Sequence, residues 1–257
     1  MADLRINKKK HIFWAEIDRP ETKNTIDFKI MELLENLLDE IEQNNNIRVL
    51  ILSGAGDRFF ASGANIEAFS TLKAEKEGLE MAERMSSILN RLESNRFWSL
   101  ACVNGDTYGG GCELLLAFDF SIASKISTFS FTQASMGLPP GWGGITRLVE
   151  RVGRSRALEW LASGEEISSD EAFQAGLINR LSITSELRRN TWEWALQLAR
   201  IPPDLIQELK HGTKFSLENP RNDAFKRERE RFAHFWASKD HLDRVEDFLR
   251  KKKKKKL

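Results

Sequence analysis

Cysteine is almost missing from this chain of 257 residues: Cys102 and Cys112 are the only two, both inside apolar runs and in no metal-ligand spacing. A disulfide framework and a cysteine-built zinc site are therefore not expected, and a reducing compartment is. There is no excess of either charge, since 39 Lys and Arg against 38 Asp and Glu leave a formal net charge of +1. A global pull towards nucleic acid or a charged membrane is excluded by that balance. No apolar run approaches the roughly 20 residues that cross a bilayer, and the opening MADLRINKKK carries no apolar core of a secretory signal. A cytoplasmic protein with no membrane partner is expected. Missing too are a repeat of fixed period, a G-x-S-x-G nucleophile elbow and a complete G-x-G-x-x-G dinucleotide fingerprint. The four histidines, His11, His211, His234 and His241, all fall outside the glycine-rich segments.

What is present is the profile of a globular protein with a sizeable core: 41% hydrophobic and 30% charged residues. Phe13, Ala15 and Ile17 alternate as a strand before Arg19-Pro20 turns the chain. Ile30, Leu33, Leu34, Leu37, Leu38 and Ile41 mark one face of a helix, and IRVLILSG is a short buried strand. The pattern recurs with a helix near 73–93, the strand WSLACVNG, then Gly109-Gly110-Gly111 feeding CELLLAF. Short strands FSIAS and TFSFT follow, so the fold class is α/β with repeated ββα-like units. After Pro139-Pro140, helices open at Gly143-Gly144 and at Ser155, and a third carries the capping-box spacing Ser168/Glu171 with Gly176 at its end. Pro202-Pro203 marks the domain boundary, giving a core over 1–201 and a helical region over 202–257. In that region Phe225, Phe232, Phe235 and Trp236 form an apolar stripe suited to packing on the core or on another subunit. The run Lys251 to Lys256 reads as a solvated tail.

Two glycine-rich loops each follow a buried strand: Phe60-Ala61-Ser62-Gly63-Ala64-Asn65 and Tyr108-Gly109-Gly110-Gly111. Small residues let a ligand approach exposed backbone N–H groups, and a helix start adds partial positive charge, so together they can form an oxyanion hole. The plainer reading is that the glycines permit tight helix packing. Glu113 lies one turn into an apolar helix, where a carboxylate is costly to bury. It is either an ion-pair partner of a nearby arginine such as Arg147, or an acid whose pKa is raised so that it moves protons near neutral pH.

The order of these motifs resembles the crotonase (enoyl-CoA hydratase/isomerase) superfamily over nearly the whole chain. IDRPETKNTID is similar to its N-terminal turn, AGDRFFASGANI and NGDTYGGGCEL to its two oxyanion loops, STFSFTQASMGLPPGWGGITRLVERVG to its active-site wall, and GEEISSDEAFQAGLINRL to the following helix and strand. The resemblance implies a spiral of ββα units with a C-terminal helical region, assembly as a homotrimer or a pair of trimers, and an acyl-CoA thioester as the partner molecule. No cofactor is implied beyond the coenzyme A of the substrate itself, and no metal. Carried over by position, the N–H groups of Ala64 and Gly110 hold the thioester oxygen. Ser62 and Ile66 contact the adenine end, and Lys23 with Phe248 and Lys251 approach the coenzyme's phosphates. Asn65 stands where the family usually has aspartate.

The family's hydratases use two glutamates. Glu113 matches the first, while the second position holds Gln133, which cannot exchange a proton near neutral pH. Decarboxylation of a malonyl-type thioester asks less: loss of CO2 generates the enolate without a base, and the enzyme must hold the oxyanion and later protonate carbon. MGLPPGWGGITRLVE resembles the ethylmalonyl-CoA and methylmalonyl-CoA decarboxylase branch, and decarboxylation of a short-chain malonyl-type CoA is expected, with Glu113 as proton donor, Gln133 as a substrate-orienting amide, and an apolar wall of Met136, Leu138 and Trp142. The alternatives are an enoyl-CoA hydratase or isomerase, and an RNA-binding homologue. Only Lys251 to Lys256 and the Lys-Arg cluster at 226–231 speak for RNA, and Glu228 and Glu230 interrupt the latter.

Overall fold

The computed structural model describes residues 3–254, the side chains of 253 and 254 excepted, so Lys253 to Lys256 of the lysine run lie outside the described side chains. The strands are β1 (Leu4–Lys9), β2 (Ile12–Ile17), β3 (Val49–Gly54), β4 (Phe59–Ala61), β5 (Trp98–Val103), β6 (Asp106–Tyr108), β7 (Phe120–Ser124), β8 (Thr128–Ser130), β9 (Ile167–Ser168) and β10 (Arg180–Ser182). The helices are α1 (Phe28–Gln43), α2 (Ile66–Phe69), α3 (Glu75–Ser94), α4 (Gly110–Leu116), α5 (Gly144–Val152), α6 (Arg154–Ser163), α7 (Ser169–Gln174), α8 (Leu187–Leu198), α9 (Pro203–Glu218), α10 (Arg221–Trp236) and α11 (Lys239–Lys254).

The ββα reading holds in a specific way. A six-stranded sheet runs β1-β2-β3-β5-β7-β10 and a four-stranded sheet runs β4-β6-β8-β9. Each successive pair β3/β4, β5/β6 and β7/β8 therefore gives its first strand to the large sheet and its second to the small one, before a helix returns the chain. The β2-β3-β5-β7-β10 pairings are all parallel, and β3 and β5 are buried at every position, as expected of parallel strands covered on both faces. α1 forms because Asp27 caps it, its side chain accepting from the Ile30 N–H at 3.0 Å, and because Ile30, Leu34, Leu37, Leu38 and Ile41 share one buried face.

The N-terminus adds two features that its residue pattern does not show. Residues Leu4–Lys9 form an edge strand, antiparallel to β2, although only Leu4 of the six is buried. β2 is covered on both faces rather than one: Trp14 is buried too, and its Nε1 donates to Ser53 Oγ at 2.9 Å.

The chain divides into two compact units, one ending at Pro203 and one beginning at Asp204. In the second unit Glu208 of α9 receives Arg227 and Arg231 of α10, each at 2.6 Å. The aromatic stripe of α10 is largely exposed, Phe232 at 65% and Trp236 at 58%, and these two rings meet at a tilt of 38° with their centres 5.5 Å apart.

Candidate active site

The site is built where the second strand of one unit hands over to α4. Gly109 links β6 to α4 with φ 52° and ψ −120°, a conformation open only to glycine. A Cβ on Gly111 would stand 2.0 Å from the Ala61 carbonyl oxygen, and one on Gly63 would stand 2.7 Å from the Gly110 nitrogen. The packing reading of the glycines is thus correct for Gly111, and the same close approach brings the two loops together backbone to backbone. Neighbouring N–H groups are used to hold the loops, Gly109 to Ser130 O and Asn65 to Ile26 O, both at 2.8 Å. Ala64 and Gly110, by contrast, stay half-exposed.

Glu113 is 2% exposed. Its Oε2 accepts the Trp142 and Gly144 backbone N–H groups at 2.7 and 2.9 Å, and its Oε1 accepts Gln133 Nε2 at 3.0 Å. Burial pushes its pKa above the ordinary carboxylate range, opposed by the Trp142 and Gly144 N–H groups, the Gln133 amide and the Gly141 N–H. The ion pair with Arg147 does not form. Arg147 turns instead to Glu93, Nε to Oε1 at 2.6 Å, and donates to the Trp142 carbonyl at 2.7 Å. It does so because Gly143, in the left-handed region at φ 87°, leaves room for the guanidinium, which lies 2.4 Å from where a Cβ would be.

Trp142 is 4% exposed. A Cβ on Gly110 would meet its ring at 2.3 Å, so the indole covers the α-carbon of a proposed oxyanion donor. Its Nε1 donates to the Met81 thioether at 3.4 Å. Of the expected apolar wall, Met136 and Leu138 are 60% and 62% exposed, on either side of the left-handed Gly137. Of the three, Trp142 alone is buried.

Ser62 and Lys23 are brought together by the Ser62 N–H donating to the Lys23 carbonyl at 3.1 Å. The Lys23 ammonium sits 5.3 Å from the centre of the Phe59 ring. Ile66 is exposed at the start of α2, where Asn65 serves as the cap, accepting from the Ala68 N–H at 3.0 Å. That explains how asparagine stands at this position: an amide oxygen caps as well as a carboxylate does. Phe248 and Lys251 lie exposed on α11 in the second unit.

Sequence reasoning missed two buried asparagines that hold the first loop. Asn24 donates to the Ala55 and Phe59 carbonyls at 3.1 and 2.7 Å, and Asn104 accepts from Gly54 N–H and donates to Gly56 O, both at 2.9 Å. The Asn104-Gly105 pair in the sequence was the available signal. Among the described residues no group of His, Cys, Asp or Glu could hold a metal ion, and no helix is long and apolar enough to cross a membrane.

Known proteins are similar to this chain over most of its length. The short-chain-enoyl-CoA hydratase of Clostridium acetobutylicum is 28% identical over 253 residues, covering 98% of this chain and 97% of the relative. The ethylmalonyl-CoA decarboxylase of Bos taurus is 31% identical over 219 residues, covering 84% and 71%. Among solved structures, an enoyl-CoA hydratase from Bacillus anthracis superposes with a TM-score of 0.92 at 26% identity, covering 97% of both chains. The sequence pattern of the enoyl-CoA hydratase/isomerase family matches residues 7–256, and the chain belongs to that family, the crotonase superfamily.

Proposed function

We propose that the protein is an acyl-CoA lyase that decarboxylates a short-chain malonyl-type CoA thioester. The observation that carries this reading is the pairing at the centre of the site: one buried carboxylate, Glu113, hydrogen-bonded to an amide, Gln133, where a hydratase of the family would place a second carboxylate. Similarity to the Bos taurus ethylmalonyl-CoA decarboxylase supports it.

In this reading the N–H groups of Ala64 and Gly110 receive the thioester oxygen. The bond between the α-carbon and the departing carboxylate breaks, CO2 leaves, and the electron pair moves onto that oxygen as the enolate forms. Donors aimed at charge that exists only then lower the barrier. Glu113, whose pKa burial raises, gives a proton to the α-carbon and is recharged from solvent, so one proton is consumed per turnover. Trp142 narrows the space beside Gly110 and suits a short acyl chain. Ser62, Ile66 and Lys23 would contact the coenzyme. The reaction draws on no cofactor beyond the coenzyme A of the substrate. Assembly as a homotrimer or a pair of trimers would cover the exposed aromatics of α10.

The second reading, hydration of a short-chain enoyl-CoA, is favoured by similarity to the Clostridium hydratase. Mass spectrometry of malonyl-, methylmalonyl-, ethylmalonyl- and crotonyl-CoA incubated with the wild type and with Glu113→Gln separates the two. Loss of CO2 by the wild type alone supports decarboxylation. Addition of water to crotonyl-CoA with no CO2 loss rejects it.

A further inference from the structure

The hydrogen bonds between Glu113, Gln133 and the main chain leave one buried acceptor over. Glu113 Oε2 already accepts two backbone N–H groups, from Trp142 and Gly144, and those donors are fixed in the main chain. Oε1 accepts the Gln133 Nε2. The other half of that amide, Gln133 Oε1, is buried and has no donor among the described residues. A buried acceptor left in this state is costly. An acyl group carrying a second carboxylate would bring further acceptors to a site that already presents a carboxylate and an undonated carbonyl.

Protonation of Glu113 resolves both difficulties. With Oε2 saturated, the proton goes to Oε1 and points where Nε2 now stands. A half-turn of the Gln133 amide, whose oxygen and nitrogen ends are of nearly equal size, then lets its Oε1 accept that proton. The Nε2 moves to the place of the undonated oxygen and carries two N–H donors there. No main-chain movement is needed.

We infer that Gln133 reads the protonation of Glu113 by turning its amide over, so that the site takes an anionic, malonyl-type acyl group together with one proton and takes a neutral acyl thioester without one. This deepens the decarboxylase reading and rests on it. It also completes the reaction: departure of CO2 removes the anion that held the amide turned, Nε2 returns towards Glu113, and the carboxyl hydrogen is released for the α-carbon of the enolate.

The ionisable neighbours on elements packed against α4 leave Glu113 as the responding group. On α5, Arg147 is committed to Glu93 and Trp142 O, Arg151 donates to Leu116 O and Phe118 O, and Glu150 is exposed. On β6, Asp106 accepts from Thr128 and the Tyr108 hydroxyl donates to Glu166. The adjoining Cys112 thiol is held up by burial, well above the ordinary thiol range. β4 contributes no ionisable side chain.

The test compares 2-sulfobutyryl-CoA, in which a sulfonate replaces the departing carboxylate, with butyryl-CoA, binding each by calorimetry from about pH 5 to about pH 9. Taking the ratio of the two dissociation constants cancels ionisation of the coenzyme, which both ligands share. In the wild type the sulfonate should lose affinity relative to butyryl-CoA by about tenfold per pH unit above the Glu113 pKa. Glu113→Gln, whose amide donates to Gln133 as the protonated acid does, should hold the low-pH ratio at every pH. Gln133→Met, which cannot turn over, should lose the preference for the sulfonate. A ratio that stays flat with pH in the wild type, or that changes equally in Glu113→Gln, overturns the inference. Failure of both thioesters to bind would overturn the acyl-CoA reading itself, and this inference with it.

Discussion

Replacing Arg147 by methionine should weaken both the fold and the site. The side chain is 8% exposed and makes four contacts of different kinds: Nε and Nη2 to Glu93 at 2.6 and 3.0 Å, Nη2 to Asn90 Oδ1 at 2.8 Å, and Nη1 to the Trp142 carbonyl at 2.7 Å. Removing one partner of a fully buried ion pair costs about 3–5 kcal/mol. Glu93 is 31% exposed, so solvent recovers part of that and about 2–3 kcal/mol remains. The Trp142 carbonyl, left without its donor, adds about 1 kcal/mol. A total of about 3–4 kcal/mol should lower the Tm by about ten degrees in a chain of this length. The catalytic effect follows from the same peptide unit, because the Trp142 N–H holds Glu113 Oε2. Loss of its anchor should lower kcat by about ten- to a hundredfold through misplacement of the acid. Arg147→Lys should recover part of the stability and little of the kcat, since one ammonium cannot hold Glu93 and the Trp142 carbonyl in a fork. Urea unfolding followed by circular dichroism, beside thioester turnover, measures both. An unfolding free energy within about 0.5 kcal/mol of wild type would refute the reasoning.

Gln133→Glu places a second carboxylate 3.0 Å from the first, raising one of the two pKa values; hydration of crotonyl-CoA should rise by about a hundredfold or more while CO2 loss from ethylmalonyl-CoA falls. Trp142→Ala should cost about 3–5 kcal/mol of stability and shift kcat/KM towards longer malonyl-type thioesters, measured over a chain-length series. Gly111→Ala would drive a Cβ to 2.0 Å from the Ala61 carbonyl and should destabilise by about 3 kcal/mol or more, with turnover lost as the loops separate. Burial raises the folded-state pKa of Glu113 above its unfolded value, so its contribution to stability is complete below the ordinary carboxylate range and is lost as pH rises through the folded pKa. Glu113→Gln should therefore gain stability relative to wild type as pH rises, in urea titrations at about pH 5 and about pH 8.

The legible parts of this molecule are those where a short pattern has one physical solution. The α1 face and the wholly apolar β3 and β5 could be read from periodicity, and the glycine loops announced close backbone approach. β1 was hidden because an edge strand with five of six side chains in solvent shows no alternation, and its hairpin turns at Lys10, a non-glycine residue at φ 55°. The partner of Arg147 was beyond reach for a different reason. Glu93 lies 54 positions away, and no local rule chooses between it and Glu113. Met136 and Leu138 are exposed on either side of a left-handed Gly137, a conformation that a glycine in the sequence permits but does not demand. The undonated Gln133 oxygen emerges only once every neighbouring donor has been placed.

The measurement that bears most directly on the central claim is decarboxylation of ethylmalonyl-CoA in D2O by the wild type and by Glu113→Gln, with deuterium at the α-carbon of the product located and its configuration assigned. A single deuterium of one configuration from the wild type, and no enzymatic CO2 release from the variant, is the expected result. Equal rates of CO2 loss with and without the Glu113 carboxyl, or deuterium incorporated without preference for one face, would contradict the assignment of Glu113 as the proton donor to a held enolate.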